Sequence, residues 1–101
     1  MQPLVALLVA AVELAELGAL IELSAMTCIG ALASRPVAEL AACARAVGAS
    51  RCTLATDYGQ KANPRPAEGL QGFADALATD GVSEADIRRM ACENPCGLLG
   101  L

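Results

Sequence analysis

Histidine is absent from this sequence of 101 residues, and its aromatic residues are limited to one Phe and one Tyr, with no Trp. The lack of histidine removes both the commonest metal ligand and the commonest general base of enzymes. Apolar residues nevertheless make up 55% of the chain, so the expected core is built from Ala, Leu and Val. A composition this apolar predicts surfaces that another polypeptide covers, either a partner subunit or a missing upstream chain.

Positive charge is scarce and scattered. Seven Lys and Arg against eleven Asp and Glu give a net charge of −4. Phosphate binding needs a concentrated basic surface, so no nucleic-acid partner is expected. Glu13, Glu16 and Glu22 keep every apolar run below the ~20 residues that a membrane span requires, so no membrane partner is expected either.

The five cysteines are an odd number and include no C-x-x-C pair. This pattern does not match a secreted disulfide framework and indicates a reducing, cytoplasmic location. Residues 3–12 have the apolar character of a signal-peptide core, but no Lys or Arg precedes them, which makes export the less favoured alternative. A metal or redox role for Cys92 and Cys96 is disfavoured, because no second pair of ligands accompanies them.

Helices and strands are predicted to alternate along the chain. The apolar periodicity predicts helices over 3–17, 36–47 and 69–78 and strands over 19–24 and 51–56. The first helix is apolar on nearly every side and is expected to pack against more than one neighbour. Ser83 and Asn94-Pro95 each carry the signal of a further helix start. This order favours two neighbouring parallel strands joined by a right-handed crossover, which cannot form an independent sheet and indicates a slice of a larger fold.

The most informative segment runs from Cys52 to Gly59, an apolar strand that ends in Thr56-Asp57 and a glycine turn. In barrels of parallel strands, catalytic groups gather at the C-terminal ends of the strands. Asp57 is therefore a candidate catalytic residue. The alternative is that Asp57 accepts backbone hydrogen bonds within its own turn, a common role for aspartate.

Residues 51–101 resemble the C-terminal end of the metal-dependent amidohydrolase-like barrels. The Thr56-Asp57 strand end resembles the family's eighth strand, where a Ser/Thr-Asp pair precedes a loop containing Gly or Pro. The segment GVSEADI over 81–87 looks like the family's G-[IV]-S-x-x-[DE]-I helix start, and NPCGLLGL over 94–101 is similar to its terminal N-P-A-x-L-L-G-L. The resemblance implies an α/β fold: residues 1–101 would be one incomplete domain, a partial (β/α)8 barrel with about the last two strand-helix units and the C-terminal helices.

The resemblance also implies a role for Asp57. In the family, the aspartate that ends strand eight binds a divalent metal, such as zinc, or takes a proton from the metal-bound water as hydroxide attacks the substrate. The family's metal-binding histidines lie on earlier strands, and none occurs here. Because zinc normally needs three or four ligands, this chain alone is expected to bind no metal and to be inactive. A metal and a small-molecule substrate are expected only in a complete homologue.

Three further residues are candidates for the same site. Glu22 lies within an apolar strand, where an unpaired carboxylate facing the core would be costly. We therefore expect it on a wet inward face of the barrel, as a second catalytic candidate, or in a salt bridge to an outer helix. Lys61 and Arg65, in the loop after Asp57, are candidate contacts for an anionic substrate, with plain solvation as the alternative.

Two functional hypotheses follow from these observations. The first is the C-terminal portion of a metal-dependent hydrolase of the amidohydrolase-like type. The alternative is a non-enzymatic interaction module that uses its apolar helices, above all 3–17, to bind a partner. The substrate, the identity of the metal and whether the chain forms a homo-oligomer are left open by the sequence.

Overall fold

The computed structural model describes residues 3–29, 33–56 and 66–100. The helices are α1 (Leu4–Glu16), α2 (Ala25–Cys28), α3 (Val37–Val47), α4 (Pro66–Thr79), α5 (Glu84–Arg88) and α6 (Asn94–Leu98), and the strands are β1 (Ile21–Ser24) and β2 (Cys52–Ala55). A 3-10 turn over Ala49–Arg51 leads into β2, and a π-helical segment over Arg89–Glu93 joins α5 to α6. The predicted helices over 3–17 and 36–47 are confirmed, with ends shifted by one residue or less.

The two strands pair in parallel, as predicted, with Ile21 opposite Cys52 and Ser24 opposite Ala55. The connection between them contains α3, also as predicted. Gly48 ends α3 with a φ of 97°, in the left-handed region that residues with a side chain rarely adopt. The chain can therefore turn from the helix directly into the 3-10 turn that precedes β2.

The predicted partial (β/α)8 barrel is wrong. Within the described residues the sheet consists of β1 and β2 alone, each four residues long. The rest of the fold is helical, and its four long helical stretches are α1, α3, α4 and residues 84–98. A barrel strand needs a hydrogen-bonded neighbour on each edge. Here helices cover the apolar side chains of the strands instead. Alternation of strands and helices correctly predicted the parallel pair, but it does not determine how many strands a sheet contains.

One apolar cluster joins the sheet to the helices. Phe73 and Leu77 of α4, Met90 of the π-helical segment and Cys52 of β2 are fully buried. Complete burial of a Phe, Leu or Met side chain contributes about 1.5–3 kcal/mol. Leu23 of β1 belongs to the same cluster, so packing by helices stabilises the small sheet.

The C-terminal helices form one continuous helical stretch over 84–98. It begins at Ser83, as predicted, and the Ser83 Oγ accepts a hydrogen bond from the backbone N–H of Asp86 at 3.1 Å. As predicted, α6 begins at Asn94, but it is not a separate helix, because Glu93 is already helical before Pro95. In a regular α-helix its ring would clash with the carbonyl four residues earlier. The π-helical segment Arg89–Glu93 widens the turn directly before this proline, which accommodates the ring.

Asn94 attaches this helical stretch to the sheet. Its Nδ2 donates hydrogen bonds to the carbonyl oxygens of Ala49, at 2.7 Å, and Cys52, at 2.6 Å. These carbonyls flank the 3-10 turn at the start of β2. The amide of Asn94 therefore connects two segments that lie more than forty residues apart in the sequence, instead of capping a helix as predicted.

None of the helices within 3–29, 33–56 and 66–100 is long and apolar enough to cross a membrane. The highly apolar α1 has 13 residues and a length of about 20 Å. The hydrocarbon core of a bilayer is about 30 Å thick.

Candidate functional site

The carboxyl ends of the two strands meet, as parallel pairing requires. The Ser24 Oγ donates a hydrogen bond to the backbone carbonyl oxygen of Thr56 at 3.4 Å. Asp57, the predicted catalytic residue and metal ligand, follows directly in the sequence but lies outside the described residues, as do Lys61 and Arg65. Their roles in catalysis and substrate binding therefore stay predictions.

Glu22 lies in β1 opposite Thr53 and is exposed to solvent. Neither of the ion pairs found among the described residues involves this carboxylate. The exposed position agrees with the expectation of a wet environment. The inward barrel face on which we expected Glu22 to act as a catalytic group does not form, because the sheet has only two strands.

A hollow of about 180 Å³ lies beside the carboxyl end of β1. It is lined by Leu7, Glu22, Leu23, Ser24, Thr27, Leu40 and Cys43. Small-molecule sites typically have volumes of roughly 300–1,000 Å³, so this hollow is small for a substrate. It offers one carboxylate and two hydroxyls. Burial raises the pKa of the Cys43 thiol, which keeps that group protonated at neutral pH.

Burial raises the pKa of the three thiols that are not exposed. Burial raises the pKa of Cys28 to about 11, and burial together with the neighbouring Cys43 raises the pKa of Cys52 to about 11. Because the thiolate is the nucleophile and the metal ligand, these thiols are unreactive at neutral pH. All five cysteines are free, and only Cys92 and Cys96 are exposed. In the part of the chain that the structure describes, no three metal-ligating side chains lie together.

A wider cleft of about 690 Å³ separates α4 from the C-terminal helical stretch. Its lining residues are Gln71, Ala74, Glu84, Ile87, Arg88, Ala91, Cys92 and Glu93. Charges of both signs line this cleft, and no histidine is present to take the proton of its thiol, Cys92. The cleft therefore has the character of a polar surface between two helices.

The most unusual surface belongs to α1. Val5, Val9 and Leu14 expose 72%, 51% and 52% of their surface, and Leu17, directly after the helix, exposes 84%. On its inner side, α1 buries only alanines, packs on α3 and touches β1. The expectation of more than one neighbour is therefore met, yet large aliphatic side chains still point to solvent. The sequence analysis identified this helix as apolar on nearly every side, but it did not identify which side stays open.

Part of this surface forms an ordered stripe. Val5, Val9, Val12 and Glu16 follow one another at helical spacing, and Glu13 lies beside them. We call these five residues the open face of α1. A groove of about 340 Å³ runs along it, lined by Leu8, Val9, Val12, Glu13 and Glu16. The open face is therefore aliphatic over most of its length and carries two carboxylates at its C-terminal end.

Comparison of the chain with known protein families, with curated proteins and with solved structures found no match. The resemblance of residues 51–101 to amidohydrolase-like barrels therefore rests on its short motifs alone. Among the surfaces described above, the open face of α1 is the one whose composition differs most from that of an ordinary solvated surface.

Proposed function

We propose that this chain is a non-enzymatic interaction module that binds a helix of a partner polypeptide along the open face of α1. The observation that carries the proposal is the exposure of Val5 and Val9, four residues apart on one side of α1, beside a groove lined by further aliphatic side chains. Leaving such a side chain in water forgoes about 1.5–3 kcal/mol of burial free energy. A contiguous apolar surface of this kind is typical of a protein interaction site.

The geometry of the open face favours a helical partner. Val5, Val9 and Val12 follow one another at intervals of four and three residues, and side chains at this spacing form a ridge along a helix. Helices pack by fitting such ridges into the grooves of a neighbour. A membrane surface fits less well, because helices that lie on membranes carry Lys and Arg on their polar face. Residues 3–34 contain no Lys or Arg, and the open face is acidic.

The hydrolase hypothesis has less support. It required a barrel to bring Asp57 and Glu22 together with histidines from earlier strands, and the described residues form a two-stranded sheet instead. Zinc binding by Asp57, contacts of Lys61 and Arg65 with a small-molecule substrate, and hydrolysis by a complete homologue stay predictions. For the interaction module we propose a cytoplasmic location, because the free thiols of all five cysteines fit a reducing compartment.

Site-specific photo-crosslinking in cells tests the interaction module. A photoreactive amino acid at position 9 should give one discrete adduct, because this side chain would lie in the interface. The same amino acid at position 71, which is exposed on α4, is the matched control and should give none. The substitution Val5→Lys, which places a charge in the apolar stripe, should remove the adduct from position 9. Failure to form any adduct at position 9, or equal adducts from positions 9 and 71, would contradict the proposal.

A further inference from the structure

The charges on α1 identify which helix fits its open face. We propose that the partner is α1 of a second copy of this chain, packed antiparallel, so that the protein forms a twofold-symmetric dimer. The inference rests on the proposed function of the open face and adds the identity and direction of the occupant.

The acidic residues of α1 lie at the end of their own helix that is electrostatically unfavourable for carboxylates. Glu13 and Glu16 occupy the last turn, where no basic residue accompanies them. The backbone carbonyls give this end a partial negative charge, which repels carboxylates. At the other end, Pro3 occupies the capping position and provides no side-chain hydrogen bond to the first N–H groups, which carry partial positive charge.

Antiparallel pairing corrects both mismatches at once. It brings Glu16 of one copy to the positive N-terminal turn of the other, with Glu13 about one turn further along, and the twofold axis repeats this contact at the opposite end. Parallel pairing would instead place both carboxylates beside their own counterparts. The charge pattern of α1 therefore favours a second α1 in the antiparallel direction.

The open face of α1 also predicts the register. When α1 is laid against itself in reverse, one residue away from full overlap, Val9 of one copy faces Val12 of the other, and Val5 faces Glu16. The aliphatic residues thus meet at the centre, and the carboxylates lie at the two ends. Polar residues at the edge of an apolar centre are the usual arrangement of a protein interface.

The size of the contact predicts a weak dimer. Two helices about 20 Å long bury less than the roughly 1,200 Å² that stable complexes typically bury. Association is therefore expected to depend on concentration, with dissociation in the micromolar range. Sedimentation equilibrium of the full chain should show the mass rising from one chain towards two over roughly 1 µM to 1 mM. A constant single-chain mass over this range would overturn the proposal.

Substitution of Glu16 separates pairing from the stability of the monomer. In Glu16→Lys, the cation suits the negative C-terminal end of its own helix, so each monomer should unfold at an equal or higher temperature. The same cation meets the positive end of the second copy, so dimerisation should weaken about tenfold or more, with a smaller loss for Glu16→Gln. Unchanged or tighter dimerisation of Glu16→Lys would overturn the antiparallel arrangement.

Crosslinking of introduced cysteines tests the direction directly. The background carries Cys92→Ser and Cys96→Ser, because these two thiols are exposed. Mixing chains with Val5→Cys and chains with Glu16→Cys should give a dimer linked by a short bismaleimide, whereas Val5→Cys alone should give little. Efficient linkage of Val5→Cys to itself would indicate parallel helices and refute the proposal.

The adduct from position 9 distinguishes failure of this inference from failure of the proposed function. An adduct of twice the 10.2 kDa chain mass supports self-pairing. An adduct of any other mass supports a binding role for the open face but overturns self-pairing. The absence of an adduct overturns both.

Discussion

Helices α1 and α4 have nearly the same length, 13 and 14 residues, but divide their surfaces differently. In α4, Phe73 and Leu77 are fully buried, whereas Gln71 and Asp75 are exposed. Each side of α4 thus has the chemistry that its environment requires. In α1, by contrast, the buried side consists of alanines and the exposed side includes large aliphatic residues.

The difference shows how packing selects a face when periodicity does not. The inner side of α1 places Ala11 in the same cluster as Ala41 and Ala44 of α3. Small side chains allow two helix backbones to approach closely, which favours dispersion contacts along both helices. Val5, Val9 and Leu14 are left on the outer side, whereas Leu8 packs against the core. In an amphipathic helix such as α4, the apolar side is buried and the exposed side is polar. In α1, by contrast, a second apolar side remains exposed to solvent.

The largest expected effect concerns the buried face of α4. We expect Phe73→Ala to lower the free energy of unfolding by about 3–5 kcal/mol, because it removes the aromatic ring from a fully buried position and leaves a cavity. Small domains have a total stability of about 5–15 kcal/mol, so the variant should lie near the limit of folding. Urea denaturation followed by circular dichroism measures the change, with Phe73→Leu as the milder control. A loss below about 1 kcal/mol would remove the distinction between α4 and α1.

A smaller loss is expected from the attachment of the C-terminal helical stretch. Asn94→Ala removes two hydrogen bonds and leaves the carbonyls of Ala49 and Cys52 without this donor, which should cost about 1–3 kcal/mol. The control is Gln71→Ala on the outer side of α4, where the exposed hydrogen bond to Asp75 should contribute less than about 0.5 kcal/mol. Equal losses in urea denaturation would show that Asn94 does not hold the stretch to the sheet.

The buried thiols predict a gradual loss of stability at alkaline pH. A thiol in the unfolded chain has a pKa near 9.0, whereas the pKa values of Cys28 and Cys52 in the folded chain are about 11. Below pH 9 both states keep the proton, and the stabilisation is complete. Between pH 9 and 11 the unfolded state loses protons first, so the free energy of unfolding should fall as the pH rises.

Urea midpoints measured over this pH range test the prediction. The variant Cys28→Ala should show a shallower fall than the unmodified chain, while Cys92→Ser, at an exposed position, should show the same fall. An identical slope for Cys28→Ala and the unmodified chain would assign the alkaline loss to other groups.

The smallest effect is expected on the open face of α1. At a concentration low enough to keep the chain monomeric, Val9→Ser should change the free energy of unfolding by less than about 0.5 kcal/mol. Leu77→Ser, at a fully buried position of α4, should cost several times more. Thermal unfolding followed by circular dichroism compares the two. A large loss from Val9→Ser in the monomer would show that this side chain stabilises the fold and is not reserved for a partner.

The sequence predicted local structure well where a local signal exists. The periodicity over 36–47 and the capping residue Ser83 correctly indicated where helices lie, and the apolar segments 19–24 and 51–56 indicated strands that pair in parallel. Asn94-Pro95 correctly indicated the start of α6, but the predicted capping role of Asn94 was wrong, because the chain is already helical at Glu93. No local pattern reveals that the Asn94 amide binds the start of β2.

The candidate site was predicted less well than the helices. The strand ending at Asp57 suggested a barrel, but a motif at the end of one strand carries no information about the number of strands beside it. The sequence predicted that the helix over 3–17 is apolar on nearly every side, but it did not predict which side is exposed. Residue size alone did not indicate which side is buried, since Ala11 and Ala15 share their side of the helix with Leu8.

By itself, the sequence determined which segments are helical, which are extended, and that α1 has more apolar surface than one neighbour can cover, because these properties follow from side chains a few residues apart. The tertiary structure alone decided that the sheet stops at two strands within the described residues and that α1 turns Ala11 and Ala15 inward. Both outcomes depend on competition between helices and strands for the same apolar surface. That competition is settled by the fit of side chains distant in sequence, such as Phe73 against the sheet cluster, which local periodicity does not encode.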